Sequence, residues 1–226
     1  MLIIGHRGAA GLAPENSMKA LRAGIEADAD MLEFDIRLTS DNVPILAHDA
    51  KLHGLRVSRT RFSKLRKAGP VTTLRNVLDT FFGNIYLNLE FKPKTGVDVV
   101  YELLKKDYIK KPDDWNNIII SSFHASTLLR LRRRNKDINL ALLHSINPFS
   151  FVIYHRKIQL SAVGWHRLHY NKPALQLAKK LDIFTYVYTV NRAESALLFA
   201  KRGIDGVVTD YPDKISAILS QQTKKR

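Results

Sequence analysis

The chain has 226 residues, of which 45% are hydrophobic and 25% charged, a composition typical of a globular protein with a sizeable core. It contains no cysteine, which excludes a disulfide framework, a thiolate metal site and a cysteine nucleophile. The 36 lysines and arginines exceed the 21 acids by 15, so anionic partners are favoured electrostatically. We expect a soluble, cytoplasmic chain, because the apolar run at residues 2–4 is short and no stretch approaches the roughly 18 residues of a membrane span.

Short apolar runs alternate with longer amphipathic stretches along the chain. The apolar runs predict eight strands, at residues 2–5, 31–36, 85–91, 117–122, 138–143, 160–163, 183–190 and 206–209. The amphipathic stretches predict eight helices, at residues 17–27, 73–81, 97–106, 125–134, 149–157, 173–181, 193–201 and 213–220. Asn16 or Ser17 is suited to cap the first helix, and Gly203 to end the seventh.

Eight strands, each followed by a helix, are the order of a (β/α)8 barrel. Runs such as Ile-Ile-Ile-Ser at 118–121 are almost continuously apolar, as in parallel strands that are covered on both faces. We therefore predict an α/β fold, a compact TIM-type (β/α)8 barrel, as one domain over residues 1–226 with a flexible tail at 221–226. The alternative is an open doubly wound sheet, which usually needs fewer strands.

Polar side chains gather at the C-terminal ends of three predicted strands, where a barrel of this type carries its active site. They are His6 and Arg7 after the first strand, Glu33 and Asp35 in the second, His48 beyond it, and Glu90 and Lys92 in or after the third. Because residues i and i+2 of a strand share a face, the two acids of the second strand point the same way, as do Glu90 and Lys92.

Charged side chains within apolar strands are costly unless they are paired or hold a metal ion. Glu33, Asp35 and Glu90 offer hard oxygen ligands, and no thiolate is present to select zinc, so Mg²⁺ or Ca²⁺ is the expected ion. The alternative is that these acids form buried salt bridges with nearby bases, namely Arg7, Arg37 or Lys92.

Two histidines have neighbours that suit catalysis. His6 precedes Arg7, whose planar guanidinium fits a phosphate, and Gly8, which allows close approach of the backbone. His48 is followed by Asp49, which could orient its imidazole. Two histidines across a metal-bound anion would supply a base and an acid for cleavage of a phosphate ester. The other histidines lack such neighbours and are interpreted as structural or solvated.

Three sequence blocks resemble the glycerophosphodiester phosphodiesterase family. HRGAAGLAPENS, at residues 6–17, is similar to the opening motif of the family, HRG followed by a spacer and PENT. LEFDIRLTSDNVPILAHD resembles the second block, an E-x-D pair that leads to His-Asp, and NLEFK resembles the third, N-x-E-x-K. SSFH, YTVN and GIDGVVTDYP match later strands in order, so the resemblance covers nearly the whole chain.

The resemblance implies hydrolysis of small-molecule glycerophosphodiesters to an alcohol and glycerol 3-phosphate. It implies catalytic histidines at His6 and His48 and one divalent cation at Glu33, Asp35 and Glu90. Arg7 and Lys92 match bases near the phosphate, and Glu15 matches a supporting acid. The nucleophile, either water or the glycerol hydroxyl of the substrate, stays open, as does the choice of which histidine is the base.

Departures from the family pattern concern the pocket walls. Tyr188 stands where the family usually has tryptophan, and Trp165, near the end of the sixth strand, is the aromatic residue expected to reach the pocket. We interpret both as candidate substrate-binding residues.

Two stretches of the chain lack acids. Residues 50–78 carry eight bases, and we favour a solvated loop and helix over a positive rim that attracts anionic substrates or membranes. Residues 138–181 mix bases with aromatics, a pattern found in single-stranded nucleic-acid binding but also in barrel helices with core aromatics, which we favour.

Two alternative functions stay open from sequence. The same site could cleave the headgroup of a lysophospholipid or sphingolipid, as a lysophospholipase D does. A non-catalytic basic barrel could instead bind nucleic acid or an anionic membrane, but a binding protein has no need for the acids and histidines described above. We expect no nucleic-acid partner and at most weak contact with anionic membrane surfaces.

Overall fold

A computed structural model of the protein describes residues 1–144 and 146–223. Its strands are β1 (Leu2–Gly5), β2 (Met31–Leu38), β3 (Pro44–Leu46), β4 (Lys51–Leu52), β5 (Leu55–Arg56), β6 (Tyr86–Phe91), β7 (Ile118–Ser122), β8 (Asn139–His144), β9 (Ala162–His166), β10 (Phe184–Tyr188) and β11 (Gly206–Thr209). Its α-helices are α1 (Met18–Glu26), α2 (Phe62–Ala68), α3 (Leu74–Phe81), α4 (Val97–Asp107), α5 (Ala125–Arg134), α6 (Ser150–Ile158), α7 (Lys172–Lys180), α8 (Ala193–Lys201) and α9 (Pro212–Thr223).

The strands close into a barrel. Within the described residues, eight parallel strands run around it in the order β1, β2, β6, β7, β8, β9, β10 and β11, and β1 pairs with both β2 and β11. The short strand β3 pairs antiparallel with the end of β2. The predicted TIM-type (β/α)8 barrel is confirmed, and the open sheet is excluded because its two edges meet.

Most predicted elements are present with ends within two residues of the sequence-based bounds. The exceptions are β9, which covers Ala162–His166 instead of 160–163, and α9, which ends at Thr223 instead of 220. The hairpin β4–β5 and the helix α2 fill a segment interpreted as a solvated loop and helix. Of the predicted tail at 221–226, residues up to 223 belong to α9 and residues 224–226 lie outside the described residues.

Local signals position the first helix and end the eighth. Ser17 is the N-cap of α1, and its Oγ accepts a hydrogen bond from the Ala20 N–H at 3.1 Å. Gly203 follows α8 with φ of 84°, a left-handed conformation that glycine adopts without strain.

Side chains of each strand alternate between two cores. Ile3, Leu142 and Val207 belong to the large core between the strands and the surrounding helices. The next residue along each strand belongs instead to a smaller core inside the barrel, formed by Ile4, Ala141, Leu143, Ala162, Tyr186 and Val208. The same alternation turns Glu33 and Asp35 of β2 inward. The residues that alternate with them, Leu32, Phe34 and Ile36, face the helices. No helix in the described part of the chain is both long and apolar enough to cross a bilayer.

Arg132 of α5 joins several segments through its guanidinium group. It donates hydrogen bonds to the backbone carbonyls of Asn135, Lys136, Ile138, Ile158 and Gln159. These carbonyls follow α5, precede β8 and end α6, so one side chain satisfies polar groups of three segments at the same end of the barrel.

We expect Arg132→Met to lower the free energy of unfolding by about 2–4 kcal/mol, since partly buried carbonyls lose their donor. Chemical denaturation measures the change. Arg133→Met is the matched control, because Arg133 is exposed in the same helix and its loss should cost less than about 0.5 kcal/mol. Equal stability of the two variants would show that water replaces the guanidinium without cost.

Candidate active site

Three buried carboxylates lie side by side at the mouth of the barrel. Asp35 of β2 and Glu90 of β6 are register partners on neighbouring parallel strands, and Glu33 lies two residues earlier on β2. One carboxylate oxygen from each residue lies within 4.8 Å of the others, and Glu33 and Asp35 are 3% and 1% exposed. The structure thus brings together the three metal ligands expected from the sequence.

Asp35 is held from several sides. Lys92 Nζ lies 2.9 Å from Asp35 Oδ1 and also pairs with Glu90 Oε1, while Arg7 Nε lies 3.4 Å from Asp35 Oδ2. Asn16 Nδ2 donates to Asp35 Oδ2 at 2.8 Å, and the Asp35 N–H donates to Asn16 Oδ1 at 3.0 Å. Burial would raise the pKa of Asp35, but Lys92 and Asn16 lower it. The salt bridges considered from sequence therefore form, and they surround this acid.

The carboxylate of Glu33 has fewer stabilising contacts than that of Asp35. Its Oε2 accepts a hydrogen bond from the Arg7 N–H at 2.9 Å, whereas its buried Oε1 has no hydrogen-bond partner among the residues that the structure describes. Burial, and then the negative charge of Asp35, raise the pKa of Glu33 to about 8. A buried carboxylate oxygen without a donor, beside two further carboxylates, fits the ligand set of a hard cation.

His6 follows β1 and has a carboxylate partner from the far end of the chain. Its Nδ1 donates to Asp210 Oδ1 at 2.6 Å, and Asn191 Nδ2 donates to Asp210 Oδ2 at 2.5 Å. Since Nδ1 carries the donated proton, Nε2 is the ring nitrogen left for chemistry. Burial would lower the pKa of His6, but the hydrogen bond to Asp210 and the charge of Glu33 raise it above its ordinary value.

His48 follows β3 and is fixed through its backbone. Its carbonyl accepts hydrogen bonds from Arg37 Nε at 3.0 Å and Nη2 at 2.7 Å. Its Nδ1 donates to Asp49 Oδ1 at 2.9 Å, and its side chain is 38% exposed. Arg37 therefore positions this histidine and does not pair with the acids, which was one of the options open from sequence.

The candidate residues line two cavities. His6, Glu33, Glu90 and Tyr188 line a small inner cavity of about 30 Å³, which has room for an ion or a water molecule. His48 and Glu15 line an outer cavity of about 350 Å³. Arg7 contacts a lining residue of each, because its N–H donates to Glu33 Oε2 at 2.9 Å and its Nη1 donates to Glu15 Oε2 at 2.5 Å.

Aromatic side chains form part of the inner wall. The Tyr188 hydroxyl donates to the His144 carbonyl at 2.9 Å, and its ring meets Phe123 edge-on with centroids 6.1 Å apart. Lys92 Nζ lies 5.9 Å from the centroid of the Phe123 ring. Tyr188 therefore lies at the cavity, as its sequence position suggested.

The expectation that Trp165 reaches the pocket is not met. Its side chain is fully buried in the outer core, its ring packs against Phe151, and its Nε1 donates to the Pro148 carbonyl at 3.0 Å. The reason is the alternation of side chains along β9, which continues past residue 163, the predicted end of the strand. The inward position before it is Gly164, where a Cβ would lie 2.7 Å from side-chain atoms of the inner core, so the next residue faces outward.

Asp210, Asn191 and Asn16 are contacts that sequence reasoning did not single out. Their segments, GIDGVVTDYP, YTVN and PENS, matched the family blocks, but no role in the site was assigned to these three positions, and Asn16 was considered only as a helix cap. A signal was present for Asp210, since it follows the last strand directly, at the same end of the barrel as His6.

Comparisons with known proteins identify the family of the chain. The sequence profile of the glycerophosphoryl diester phosphodiesterase family matches residues 6–214. The chain is 30% identical to the Bacillus subtilis protein YqiK over 97% of this chain and 99% of that protein. It is 26% identical to a glycerophosphodiester phosphodiesterase of Caldanaerobacter subterraneus over 95% and 96% of the two chains. An Oleispira antarctica phosphodiesterase, solved in complex with the product sn-glycerol-3-phosphate, has the same fold, with a TM-score of 0.84 and 22% identity over 97% of each chain.

The closed barrel, with polar groups gathered at the C-terminal ends of its strands, first defines the class as a (β/α)8-barrel enzyme. The chain belongs to the glycerophosphoryl diester phosphodiesterase family, which confirms the resemblance of the sequence blocks and the enzyme that they predicted.

We expect Asp210→Asn to lower the pKa of His6 in the cation-free protein, because an amide does not stabilise the imidazolium and burial then dominates. The raised folded-state pKa stabilises the wild type below the ordinary histidine value of 6.5, and this stability is lost as pH rises through the folded pKa. The variant should therefore be less stable than the wild type below pH 6.5 and approach it at higher pH.

Histidine NMR titration in EDTA measures the His6 pKa, and chemical denaturation across pH measures the stability. Asp213→Asn is the control, since it removes the same charge from an exposed position three residues further on. An unchanged His6 pKa in Asp210→Asn would contradict the assigned hydrogen bond.

Proposed function

We propose that the chain hydrolyses glycerophosphodiesters to an alcohol and glycerol 3-phosphate with the help of one divalent cation, Mg²⁺ or Ca²⁺. The observation that carries this proposal is the buried Oε1 of Glu33, which has no hydrogen-bond partner among the described residues and belongs to a cluster with Asp35 and Glu90. The product complex of the Oleispira antarctica phosphodiesterase, which has the same fold, supports the choice of product.

Glu33, Asp35 and Glu90 would hold the cation. All are oxygen ligands, which Mg²⁺ and Ca²⁺ prefer, and the chain has no thiolate to compete for them. When bound, the cation polarises a phosphoryl oxygen and neutralises the charge that develops on it. Lys92 already pairs with Asp35 and Glu90, so part of the negative charge is balanced by the chain itself.

The two histidines would move the protons. Each has its Nδ1 bound to a carboxylate, which leaves Nε2 free to take a proton from the nucleophile or to give one to the departing alcohol. His6 lies with the acids and His48 lines the outer cavity, so we place the scissile phosphate between the two cavities.

Arg7 would bind the phosphate across that boundary. Its guanidinium reaches from Asp35 to Glu15, and its planar donors suit phosphate oxygens. Lys92 adds a second positive charge beside the acids, and Tyr188 supplies the wall on the far side of the inner cavity. Trp165 is left out of the substrate-binding residues because it is buried behind the strand.

Other expectations from sequence stay predictions. They are the single domain, the cytoplasmic location, the choice between the two ions and cleavage of a lysophospholipid or sphingolipid headgroup by the same residues. Weak contact with an anionic membrane also stays a prediction.

We expect His6→Ala and His48→Ala each to lower turnover by about 10²–10⁴, the range for a lost general acid or base. The assay follows glycerol 3-phosphate released from glycerophosphocholine. His155→Ala, in the last turn of α6 at the opposite end of the barrel, is the control and should keep its activity. A near-wild-type rate in either variant would remove that histidine from the mechanism.

We expect divalent cations to displace a proton from Glu33, because its pKa of about 8 keeps it protonated at neutral pH without an ion. Calorimetry of Mg²⁺ and Ca²⁺ binding in buffers of different ionisation enthalpy should show nearly one proton released per ion. The affinity should rise about tenfold per pH unit below pH 8 and level off above it.

Three variants test the ligands themselves: Glu33→Gln, Asp35→Asn and Glu90→Gln should each weaken binding of the ion and abolish activity. Glu102→Gln, an exposed acid of α4, is the matched control. Unchanged affinity in all three ligand variants, or activity that survives EDTA, would contradict the metal site.

A further inference from the structure

The most exposed large apolar side chains of the described residues lie close together in sequence. Ile146, Ile153 and Leu168 are 76%, 74% and 74% exposed. We call these three residues the apolar rim. Phe149, between the first two, is a further 40% exposed. Single exposed apolar residues are ordinary on a protein surface, but a group of highly exposed ones indicates a contact surface.

The apolar rim lies at the mouth of the barrel. Ile146 comes two residues after the end of β8, Leu168 two residues after the end of β9, and Ile153 is in the first turn of α6. The C-terminal ends of the parallel strands carry the site, so all three residues share its end of the barrel. Tyr188 connects them to the cavity, since it bonds to the last residue of β8 and packs edge-on against the last residue of β9.

A basic surface lies at the same end. We call it the basic flank, and it consists of Arg56, Arg59, Arg61, Lys64, Arg66 and Lys67. All six are exposed, and none forms a salt bridge with an acid in the part of the chain that the structure describes.

The basic flank is a folded unit. Hairpin β4–β5 and α2 pack on a small core of Ile45, Ala47, Val57 and Leu65. The segment begins three residues after His48, and Lys51 lines the same cavity as that histidine. The positive charge is therefore held in place beside the site.

The two surfaces face each other across the mouth. Around the barrel, β2, which β3 and the basic flank follow, is separated from β9 by three strands in either direction. Residues 50–78 and 138–181, which carry the two surfaces, contain no acid. A partner that touches both surfaces must therefore be broad, negatively charged and able to accept aliphatic side chains.

We propose that the mouth of the barrel docks on an anionic lipid bilayer, with the basic flank on the headgroups and the apolar rim inserted at the level of the upper acyl chains. Both attractions act together at such a surface, since lysines and arginines bind the charged leaflet while aliphatic side chains leave water. Docking requires no catalysis, so it goes beyond the proposed function and is tested separately from it.

Nucleic acid fits this surface less well. Binding of single strands relies on aromatic platforms for the bases, whereas the rim is aliphatic. Phe151 and Trp165, aromatics of the same stretch, are fully buried in the core as the sequence favoured, whereas Phe149 and Tyr154 are 40% and 42% exposed. The charge complementarity alone would suit a nucleic acid, so it enters the experiment as a competitor.

Sedimentation with vesicles of phosphatidylcholine, with or without phosphatidylglycerol, tests the proposal. The wild type should bind the anionic vesicles and be released as salt rises, because the screening length falls to about 10 Å at 0.1 M. Replacing Arg56, Arg59, Lys64 and Lys67 by Gln should weaken binding at low salt by about a hundredfold and flatten the salt dependence.

Replacing the three residues of the apolar rim by Ser should weaken binding by about tenfold or more at every salt concentration and leave the salt dependence intact. Two matched controls alter the other end and the side of the barrel. The control for the charges replaces four lysines in the last turns of their helices by Gln: Lys105, Lys106, Lys180 and Lys201. The control for the apolar residues replaces three exposed side chains by Ser: Ile25, Tyr86 and Leu198. Both controls should bind as the wild type does.

The absence of cysteine allows a second measurement. A polarity-sensitive dye on a single introduced cysteine, Ile146→Cys or Leu168→Cys, should shift to shorter wavelength when anionic vesicles are added, and a dye at Leu198→Cys should not. His6→Ala should show the same vesicle binding as the wild type, so an inactive enzyme that still docks separates the two proposals.

Three outcomes would overturn the docking proposal. The first is a wild type that does not bind anionic vesicles at low salt. The second is equal loss of binding in the rim and control variants, which would mean non-specific adsorption. The third combines two results: single-stranded RNA displaces the vesicles at a concentration equal to or lower than that of the lipid, and the dye at Ile146→Cys stays in water. These results would identify a nucleic-acid surface instead.

Discussion

The charges buried at the mouth of the barrel determine much of the structure around them. Strand alternation turns Glu33 and Asp35 inward, and the register of β6 brings Glu90 beside them. Isolated carboxylates in such a place would be protonated or would destabilise the fold. Lys92 and Arg7 supply two positive charges for the three carboxyl groups, and Arg7 also pairs with Glu15. Glu33 is the acid with the least compensation by positive charge, and this makes the cluster suited to an added cation.

The loop between β1 and α1 is shaped by the same requirement. Arg7 and Asn16 have φ values of 51° and 54°, in the left-handed region that non-glycine residues seldom adopt. These conformations bring the Arg7 N–H to Glu33 and the Asn16 amide to Asp35. Gly8, with φ of 89°, packs so closely on α1 that a Cβ would lie 2.4 Å from the backbone of Ala20. The loop conformation is costly locally, and the contacts with the buried acids offset that cost.

The sequence predicted the barrel well because its signals are local. Continuous apolar runs specify buried parallel strands, and the inward position of Glu33 and Asp35 follows from a spacing of two. Trp165 was placed wrongly because the end of β9 depends on contacts with its neighbouring strands, and a shift of one residue reverses which face a side chain takes. The hairpin β4–β5 has strands of two residues, too short to produce a periodic pattern. Asp210 lies 204 residues from His6, so their contact has no local trace in the sequence.

Closure of the barrel has a consequence for the order in which the site is assembled. The strand β1 shares four register pairs with β11 but two with β2, so its main partner is the last strand of the chain. During synthesis from the N-terminus, the acids on β2 and β6 emerge well before the carboxylate that orients His6, which follows β11. A chain synthesised only as far as β10 has Glu33, Asp35 and Glu90 but lacks the carboxylate that orients His6. Pairing of β11 with β1 therefore closes the barrel and, in the same step, brings Asp210 to His6.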